Sequence, residues 1–385
     1  MARSMLPEAS CPICSAHADG LLELHLAERR WLSSTIAVAS CAACDFAFVC
    51  PADAENYANY YAETTNDLLS VTNPSETEQS RFDTQAGFLS PLLSEAAPKR
   101  VLDIGCGSGG LLRTLQQAFP QHGYHGVDPN VGPGAEHHGV SFSRKLDDSM
   151  QSFDLVILSH TLEHVVDLAA FSSVLKLLAA DGSLYVEVPD ASRYADFPRR
   201  EYLYYFDRLH INHFSTASLE KLLADWGLVL NWTSFHDFQY KDDQLYPAFA
   251  ILASRQAPAV PLQLELKEPL GAALERYRQG ERDRARDWQT RLAEFPQILV
   301  YGFGDNFFRA RAAGGPLSEQ NILAVIDRRW RDLSESRYAA DYSFMDQHQA
   351  AEQHSQIPVV VAVSWQAETI AETLSEAGFS QVFIL

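Results

Sequence analysis

The chain has 385 residues, a formal net charge of −20 and 46% hydrophobic residues. This length exceeds what one hydrophobic core organises, so it predicts two or three domains. The ordinary hydrophobic content argues against a disordered protein, and the negative charge argues against duplex nucleic acids or anionic membranes as partners. The longest apolar run, residues 359–363, is far below the roughly 18 residues that span a bilayer. Residues 1–10 lack the apolar core of a signal peptide, and we expect a soluble, cytoplasmic protein.

Four of the six cysteines form two Cys-x-x-Cys pairs near the N-terminus. The first pair is Cys11 and Cys14, and the second is Cys41 and Cys44. In a reducing compartment such pairs favour a metal site over disulfides, and four thiolates complete a closed tetrahedral shell around Zn²⁺. Four unrelated buried thiols or a redox motif are the alternatives, which the shared spacing and the lack of a βαβ pattern disfavour. We predict a structural zinc module over residues 1–55.

A polar segment follows and is predicted to connect the zinc module to the next domain. Apolar residues recur at helical spacing over residues 76–93, which predicts a helix there. A cluster of tyrosines precedes this helix, and we expect their rings to pack against the neighbouring domain. Tyr61 is the one candidate among them for a direct role.

The central part of the chain begins with a short apolar strand that ends in a glycine-rich turn. Gly105, Gly107 and Gly109 allow a tight turn and let a ligand approach backbone that a Cβ would block. A second strand ends at Asp128, whose carboxylate can accept hydrogen bonds from ribose hydroxyls. The turn lacks the Gly-Lys-Ser/Thr that nucleoside triphosphate loops require, while a dinucleotide site or a plain strand–helix corner stays open.

Strands and helices alternate through the rest of this part. The predicted elements are strands over residues 153–159, 182–189, 228–235 and 247–254 and a helix over residues 168–180. Together with the first strands they predict a seven-stranded sheet. Such alternation is typical of a doubly wound parallel α/β sheet, which binds its ligand at the carboxyl ends of the strands.

These segments resemble the successive motifs of class I S-adenosylmethionine (SAM)-dependent methyltransferases. The resemblance rests on the strand and glycine turn at 101–109, Gly-Val-Asp at 126–128, Phe-Asp-Leu-Val at 153–156 and Leu-Glu-His-Val at 162–165. It implies that Asp103 and the three glycines surround the methionine part of the cofactor. Asp128 then holds the ribose, and Asp147 or Asp148 lies near the adenine. His160 is predicted to line the same cleft, and the last two motifs argue against an NAD oxidoreductase.

Histidines and basic residues are candidates for the acceptor side. His160 and His164 share one face if their segment is helical, but the sequence offers no third metal ligand nearby. We therefore expect them to line the cleft, with His164 facing the acceptor. Residues 189–215 are aromatic and cationic within an acidic protein, which favours an anionic small substrate such as a pyrophosphate. A solvated loop with tyrosines packed beneath it is the alternative.

A long helix is predicted over residues 262–295, with a kink after Pro269. It has one apolar stripe and a densely charged opposite face. A coiled-coil seam is one interpretation of this stripe, but Glu281 interrupts it. A helix that bridges two domains is the favoured interpretation.

The C-terminal part repeats the strand, glycine turn and terminal acid of a dinucleotide-binding domain. Its first strand runs into Gly302 and Gly304. The third glycine position holds the bulky Phe307, which crowds a pyrophosphate. We predict a Rossmann-like domain that binds no dinucleotide of its own.

The order of these parts resembles the bacterial sugar C-methyltransferases that act on nucleotide-linked deoxysugars. In that family a Tyr-x-Glu-His run supplies the base region, and the comparable residues here are His210, Ile211, Asn212 and His213. The resemblance implies His213 as the general base, with His164 and His210 as further catalytic candidates. The missing Tyr and Glu leave O- or N-methylation of a sugar open. Methylation of another natural-product scaffold, or a cofactor-binding protein with a lapsed active site, are the alternatives.

The predicted organisation has five parts. They are a zinc module (1–55), a helical connector (56–97), a class I methyltransferase domain (98–255), a bridging helix (256–296) and a Rossmann-like domain (297–385). The expected ligands are SAM and a structural Zn²⁺. The expected partner is a small anionic nucleotide sugar, rather than a nucleic acid or a membrane.

Overall fold

The computed structural model describes residues 9–50, 52–63, 74–95, 97–131, 136–137, 139–147, 150–239, 244–258 and 268–385. The strands in these ranges are β1 (Ala9–Ser10), β2 (His17–His25), β3 (Thr35–Cys41), β4 (Phe46–Cys50), β5 (Arg100–Ile104), β6 (Gly123–Val127), β7 (Glu136–His137), β8 (Val140–Ser143), β9 (Phe153–Ser159), β10 (Leu178–Pro189), β11 (Asn212–Phe214), β12 (Val229–Gln239), β13 (Leu245–Ser254), β14 (Ile298–Tyr301), β15 (Ile322–Ile326), β16 (Phe344–Met345), β17 (Val359–Val361) and β18 (Val382–Ile384). The helices are α1 (Ala54–Glu63), α2 (Glu76–Leu93), α3 (Gly110–Ala118), α4 (Leu168–Phe171), α5 (Thr216–Asp225), α6 (Leu270–Leu292), α7 (Asp305–Arg311), α8 (Trp330–Ser334), α9 (Gln347–His354) and α10 (Ala367–Glu376). Within these ranges, no helix combines the length and the apolar character that a membrane crossing needs.

The N-terminal sheet has the strand order β1-β2-β3-β4-β11 and is antiparallel throughout. Its last strand comes from far along the chain: in β11, His213 pairs with Ala47 of β4. The two cysteine pairs lie at the turns that follow β1 and β3. The predicted zinc module, residues 1–55, therefore lacks one strand of this sheet. The missing strand is β11, which follows β10 of the central sheet in the chain.

The central sheet has the order β12-β13-β10-β9-β5-β6-β8-β7. Strands β10, β9, β5, β6 and β8 are parallel, whereas β13 runs antiparallel to both of its neighbours. Without the two-residue edge strand β7, the sheet has seven strands, the predicted number, although no strand was predicted at β8. It is mixed rather than parallel, which corrects the expectation of an all-parallel sheet.

Two helices around this sheet show where local sequence signals succeed and fail. Helix α2 has the predicted bounds, and a capping box fixes its start: Ser75 accepts from the Glu78 amide while Glu78 accepts from the Ser75 amide. The helix predicted over 168–180 is wrong beyond its first turn. It continues only as a 3₁₀ helix to Leu177, because Leu178 pairs with Phe153 and joins β10. Strand pairing has overridden helical propensity there.

The C-terminal sheet is parallel, with the order β16-β15-β14-β17-β18. Helix α6 precedes it and begins directly after Pro269, while the earlier part of its predicted range, 262–267, lies outside the described residues. Glu281 does not break the apolar face of α6, since it is buried and accepts a hydrogen bond from the Leu203 amide at 2.7 Å. Farther along, Gln289 donates to the Gly315 carbonyl at 2.8 Å, so α6 contacts both the central and the C-terminal parts.

Candidate functional site

The four paired cysteines converge at one edge of the N-terminal sheet. The Cys11 and Cys44 sulfurs are 3.3 Å apart, those of Cys14 and Cys41 are 3.5 Å apart, and all four lie within 4.8 Å of one another. These separations are too long for disulfide bonds and close to the roughly 3.8 Å between thiolates around a tetrahedral ion with 2.3 Å bonds. The hydrogen bond with Cys44 lowers the pKa of Cys11 to about 5. The cluster therefore has the donor set and spacing of a closed metal site.

The glycine turn joins β5 to α3 at the centre of the molecule. Gly105 has a φ of +79°, and a Cβ there would lie 2.5 Å from the Thr161 hydroxyl, so only glycine fits. Gly107 also has a positive φ, but no described atom lies within 4 Å of the position that its Cβ would take. The turn thus presents bare backbone to an open space beside the start of α3.

Two acids flank the turn as the sequence predicted. Asp128 accepts from the Gly107 amide at 3.0 Å and from the Asn130 amide at 2.9 Å. Asp103 is buried, and its Oδ1 has no hydrogen-bond partner among the described residues. Burial and the nearby Asp128 raise the pKa of Asp103 to about 8, although the Arg81 charge opposes them. A buried carboxyl group with a bare oxygen suits a cationic ligand such as the methionine part of SAM.

The remaining predicted cofactor residues lie in different surroundings. Asp147 is exposed, and Asp148 lies outside the described residues. His160 does not present a free nitrogen to the cleft, because Glu163 binds its Nδ1 at 3.0 Å and Glu187 binds its Nε2 at 3.1 Å. The prediction that His160 contacts the cofactor therefore does not fit its hydrogen bonds.

His160 instead belongs to a buried chain of acids and polar groups. Burial favours its neutral form, but the two carboxylates outweigh that effect and raise the pKa of His160 to about 9. Glu187 also accepts from Gln85 Nε2 at 2.7 Å and from the Tyr185 hydroxyl. An imidazolium held between two carboxylates fixes the orientation of Glu163, and His160 and Glu163 both line the neighbouring pocket.

A pocket of about 260 Å³ opens beside the carboxyl end of β9, and we call it the histidine pocket. Its polar lining is His160, His164, His210, Glu163, Asp207 and Arg81. Its aromatic lining is Tyr204, Phe238 and Tyr246. The pocket lies beside the glycine turn. Thr161, which stands between the lining residues His160 and Glu163 in the sequence, donates to the Ile104 carbonyl at 2.8 Å, and the lining residue Arg81 lies close enough to act on the pKa of Asp103.

Two of the three predicted catalytic histidines line this pocket. The rings of His164 and His210 have centroids 4.9 Å apart. His164 Nδ1 lies 2.9 Å from the Leu209 carbonyl and 3.3 Å from the Tyr61 hydroxyl. Tyr61, the tyrosine singled out from the sequence, thus contacts a pocket histidine. Burial and the His164 charge lower the pKa of His210 to about 4, so its ring is neutral at pH 7.

His213, the predicted general base, lies away from the pocket. It sits in β11, is only 1% exposed, and its Nδ1 lies 3.3 Å from the Tyr194 hydroxyl. Burial, with a smaller effect of the His210 charge, lowers the pKa of His213 to about 3. A neutral, enclosed ring packed edge-on against Phe206 cannot reach a methyl acceptor, and the alignment with the family's base region fails at this position.

The basic segment 189–215 contributes no arginine to the histidine pocket. Its arginines are used in contacts within the protein: Arg193 pairs with Asp237, Arg200 with Glu368, and Arg208 with Asp305. The local positive charge is neutralised by acids from other parts of the chain, which a one-dimensional charge pattern does not reveal.

The sequence interpretation also missed several residues of the site. Glu163 lies in the Leu-Glu-His-Val motif, but the motif predicted no separate role for its carboxylate. No local sequence pattern marked three further residues as part of the site, because they reach it from β10, α2 and the loop after β10: Glu187, Arg81 and Asp207. The one clue for Glu187 was its position two residues before the end of a predicted strand, β10.

A comparison with known sequence families matches the part of the chain that contains the glycine turn and its two acids. Residues 79–231, less than half of the chain, match a sequence family described as "Methyltransferase domain". This range contains the glycine turn, Asp128 and the segment of Glu163 and His164. The central part of the chain is therefore similar to a methyltransferase domain, as the sequence predicted.

Individual similar proteins match parts of the chain. The Bos taurus "Ubiquinone biosynthesis O-methyltransferase, mitochondrial" is 34% identical over 104 residues, which cover 23% of this chain and 28% of that protein. The Synechocystis magnesium protoporphyrin IX methyltransferase with bound SAH is 18% identical and covers 53% of this chain and 100% of its own, with a TM-score of 0.39. The Burkholderia thailandensis 1,6-didemethyltoxoflavin-N1-methyltransferase is 16% identical and covers 59% and 98%, with a TM-score of 0.38.

Proposed function

We propose that this protein transfers the methyl group of SAM to a small acceptor bound in the histidine pocket. The observation that carries the proposal is that this pocket lies beside the glycine turn: Thr161, between the lining residues His160 and Glu163 in the sequence, donates to the carbonyl of Ile104, the residue before the turn. A ligand at the turn and a ligand in the pocket are then neighbours at the strand ends. Direct transfer needs this arrangement, since holding both reactants near attack distance supplies much of the rate acceleration.

The residues of the glycine turn fit the cofactor. SAM, when bound, supplies a methyl group on a positively charged sulfur. The open backbone at Gly107 leaves room for a ligand, the bare Oδ1 of Asp103 suits its positive charge, and Asp128 lies where a ribose would be held. The acids and the turn thus bind and orient the donor, while the histidine pocket orients the acceptor.

The lining of the histidine pocket favours a hydroxylated ring as acceptor. Tyr204, Phe238 and Tyr246 offer flat apolar faces, and Glu163 and the histidines offer hydrogen-bond acceptors around them. A nucleotide-linked sugar is the acceptor class that we propose first, with its sugar ring in the pocket. Its phosphates would lie outside the pocket, because Arg81 is the single arginine among the lining residues. His164 and His210, rather than His213, are the histidines positioned to meet the acceptor proton.

The cysteine cluster is proposed to hold a structural zinc ion. An ion bound by all four sulfurs would have a complete tetrahedral shell, with no open coordination position for a substrate. The neighbouring β4 pairs with β11, so an ordered cluster also supports the strand that follows the pocket residue His210.

A labelled-methyl screen tests this function. The purified protein is incubated with isotopically labelled SAM and panels of nucleotide sugars, phenols and amines, and the products are analysed by mass spectrometry. We expect labelled product from a member of the nucleotide-sugar panel. Elemental analysis of the same preparation should find about one zinc ion per chain.

Gly105→Val is the control for cofactor-dependent turnover, since its side chain would collide with Thr161 at a positive φ. Product from the phenol or amine panel alone would replace the sugar by another scaffold. SAM binding without product from any panel would support a lapsed active site.

A further inference from the structure

The histidine pocket brings a distant histidine to two potential metal ligands that are neighbours in the sequence. Glu163 and His164 follow β9, whereas His210 lies beyond β10 and the loop that follows it. One ligand atom from each of the three lies within 4.8 Å of the others. The sequence had offered no third ligand near His160 and His164, and the fold supplies His210.

Glu163 is a buried acid with an unused oxygen. The residue is 1% exposed, and its Oε1 receives the hydrogen bond of His160 Nδ1 at 3.0 Å. Its Oε2 is buried and has no hydrogen-bond partner among the described residues. A buried carboxylate oxygen without a partner is costly, so its position calls for a proton donor or a cation.

The hydrogen bonds of His164 fix which of its nitrogens is available. Its Nδ1 lies 2.9 Å from the Leu209 carbonyl, which can only accept, so Nδ1 carries the hydrogen. The nitrogen left to bind a cation is then Nε2. Ligating histidines are commonly held in this way, with the second ring nitrogen bound to a backbone carbonyl. On the other side of the pocket, His210 Nδ1 lies 3.5 Å from the Tyr246 hydroxyl.

We propose that Glu163, His164 and His210 bind one divalent transition-metal cation in the histidine pocket. Two imidazoles and one carboxylate suit ions such as Mn²⁺, Fe²⁺ or Co²⁺. Three protein ligands leave coordination positions open, in contrast to the closed cluster of four cysteines. The cation would hold and acidify an acceptor hydroxyl beside the methyl donor; that last role rests on the proposed function, whereas the binding of the cation does not.

Mn²⁺ is the probe that separates this site from the cysteine cluster, because it prefers nitrogen and oxygen ligands to thiolates. The full chain, with the zinc it carries on purification, is titrated with Mn²⁺, and the free ion is followed by its electron paramagnetic resonance signal. We expect one bound Mn²⁺ per chain. Glu163→Gln and His210→Ala should each weaken its binding at least about tenfold, since each removes one of three ligands.

His348→Ala is the matched control. His348 also lies near a glutamate, Glu352 at 3.2 Å, but this pair is exposed and far along the chain, so Mn²⁺ binding should be unchanged. SAM affinity, measured on every variant, shows whether the central domain is folded. If Glu163→Gln no longer binds SAM, His210→Ala alone decides.

Two results would overturn the cation site: wild-type protein that binds no Mn²⁺, or folded variants that bind it as tightly as wild type. The outcome for the proposed function is separate. Mn²⁺ binding without turnover of any acceptor would leave the cation site standing and count against the methyl transfer. Turnover by a protein that binds no Mn²⁺ would overturn the cation site and support the methyl transfer.

Discussion

The molecule contains two glycine turns of similar design, and they differ in the side chains around them. In the central domain, Asp128 at the end of one strand accepts from the Gly107 amide of the neighbouring turn at 3.0 Å. In the C-terminal domain, Asp327 accepts from the Phe303 amide at 2.9 Å, one residue earlier in the turn. Strand, turn and terminal acid thus recur in both domains, and the acid anchors the turn in each.

The difference lies in the aromatic side chains that pack around the turn. Phe303 is buried and packs against Phe307, Phe308 and Phe344 at centroid distances of 4.8 to 5.0 Å. The position that a Cβ would take at Gly304 is nevertheless as open as that at its counterpart Gly107. Asp327 is also bound by Arg329. The sequence had identified Phe307 as the obstacle, and the structure shows that Phe307 is one member of a larger aromatic cluster.

The helix after the C-terminal turn has a structural use in place of a phosphate. Asp305, its first residue, accepts from the Ala27 amide at 2.9 Å and from Arg208 at 2.7 Å. One turn later, Arg309 donates to the Phe206 carbonyl and to Asp207. The C-terminal domain therefore holds the loop that supplies Asp207 and His210 to the histidine pocket.

The largest expected effect concerns Asp305 of the C-terminal turn. Arg208 is 1% exposed, so Asp305→Ala leaves a buried guanidinium without its carboxylate. We expect a loss of about 3–5 kcal/mol in the free energy of unfolding, measured by urea denaturation, with SAM affinity unchanged. Asp283→Ala, which breaks an exposed pair with Arg286, should cost at most about 1 kcal/mol. Equal losses in the two variants would contradict the structural role of the C-terminal turn.

The second prediction compares the two terminal acids directly. Asp128→Ala and Asp327→Ala each remove the hydrogen bond to the amide of a turn. Only the first removes a cofactor contact, so calorimetry should show SAM binding weakened by about 1.5–3 kcal/mol in Asp128→Ala and unchanged in Asp327→Ala. A folded Asp128→Ala protein that binds SAM as wild type does would remove the ribose role from Asp128.

The parts of the fold that were predicted from the sequence are those with local signals. The capping box of α2 and the glycine turn after β5 each depend on residues that are close together in the sequence. The same is true of each Cys-x-x-Cys pair. The composition of the histidine pocket was not predictable in this way, because His210 meets His164 only after the chain has crossed β10. The burial of His213 was not predictable for the same reason, because β4, the strand that pairs with β11, lies far before it in the chain.

The third prediction, with the smallest effect, uses Asp103, whose counterpart in the C-terminal strand is the apolar Val300. Burial and Asp128 raise the pKa of Asp103 to about 8, so in the free protein this carboxyl group is protonated at neutral pH. A positively charged ligand at its bare Oδ1 favours the ionised form and lowers that pKa, so SAM binding releases a proton. It follows that SAM affinity increases as the pH rises towards 8 and levels off above it.

The increase in affinity is at most about tenfold per pH unit, which is the limit for one linked proton. Calorimetry in two buffers with different ionisation enthalpies counts the proton released at pH 7, and titrations between pH 6 and 9 follow the affinity. Asp103→Asn keeps the shape of the side chain but cannot ionise, so its affinity should be weaker at pH 8 and flat across this range. If wild-type affinity is flat as well, and no proton is released, Asp103 does not face the cofactor's charge. The central turn would then differ from its C-terminal counterpart in aromatic packing alone, and its buried acid would have to be explained by the packing of β5 rather than by SAM.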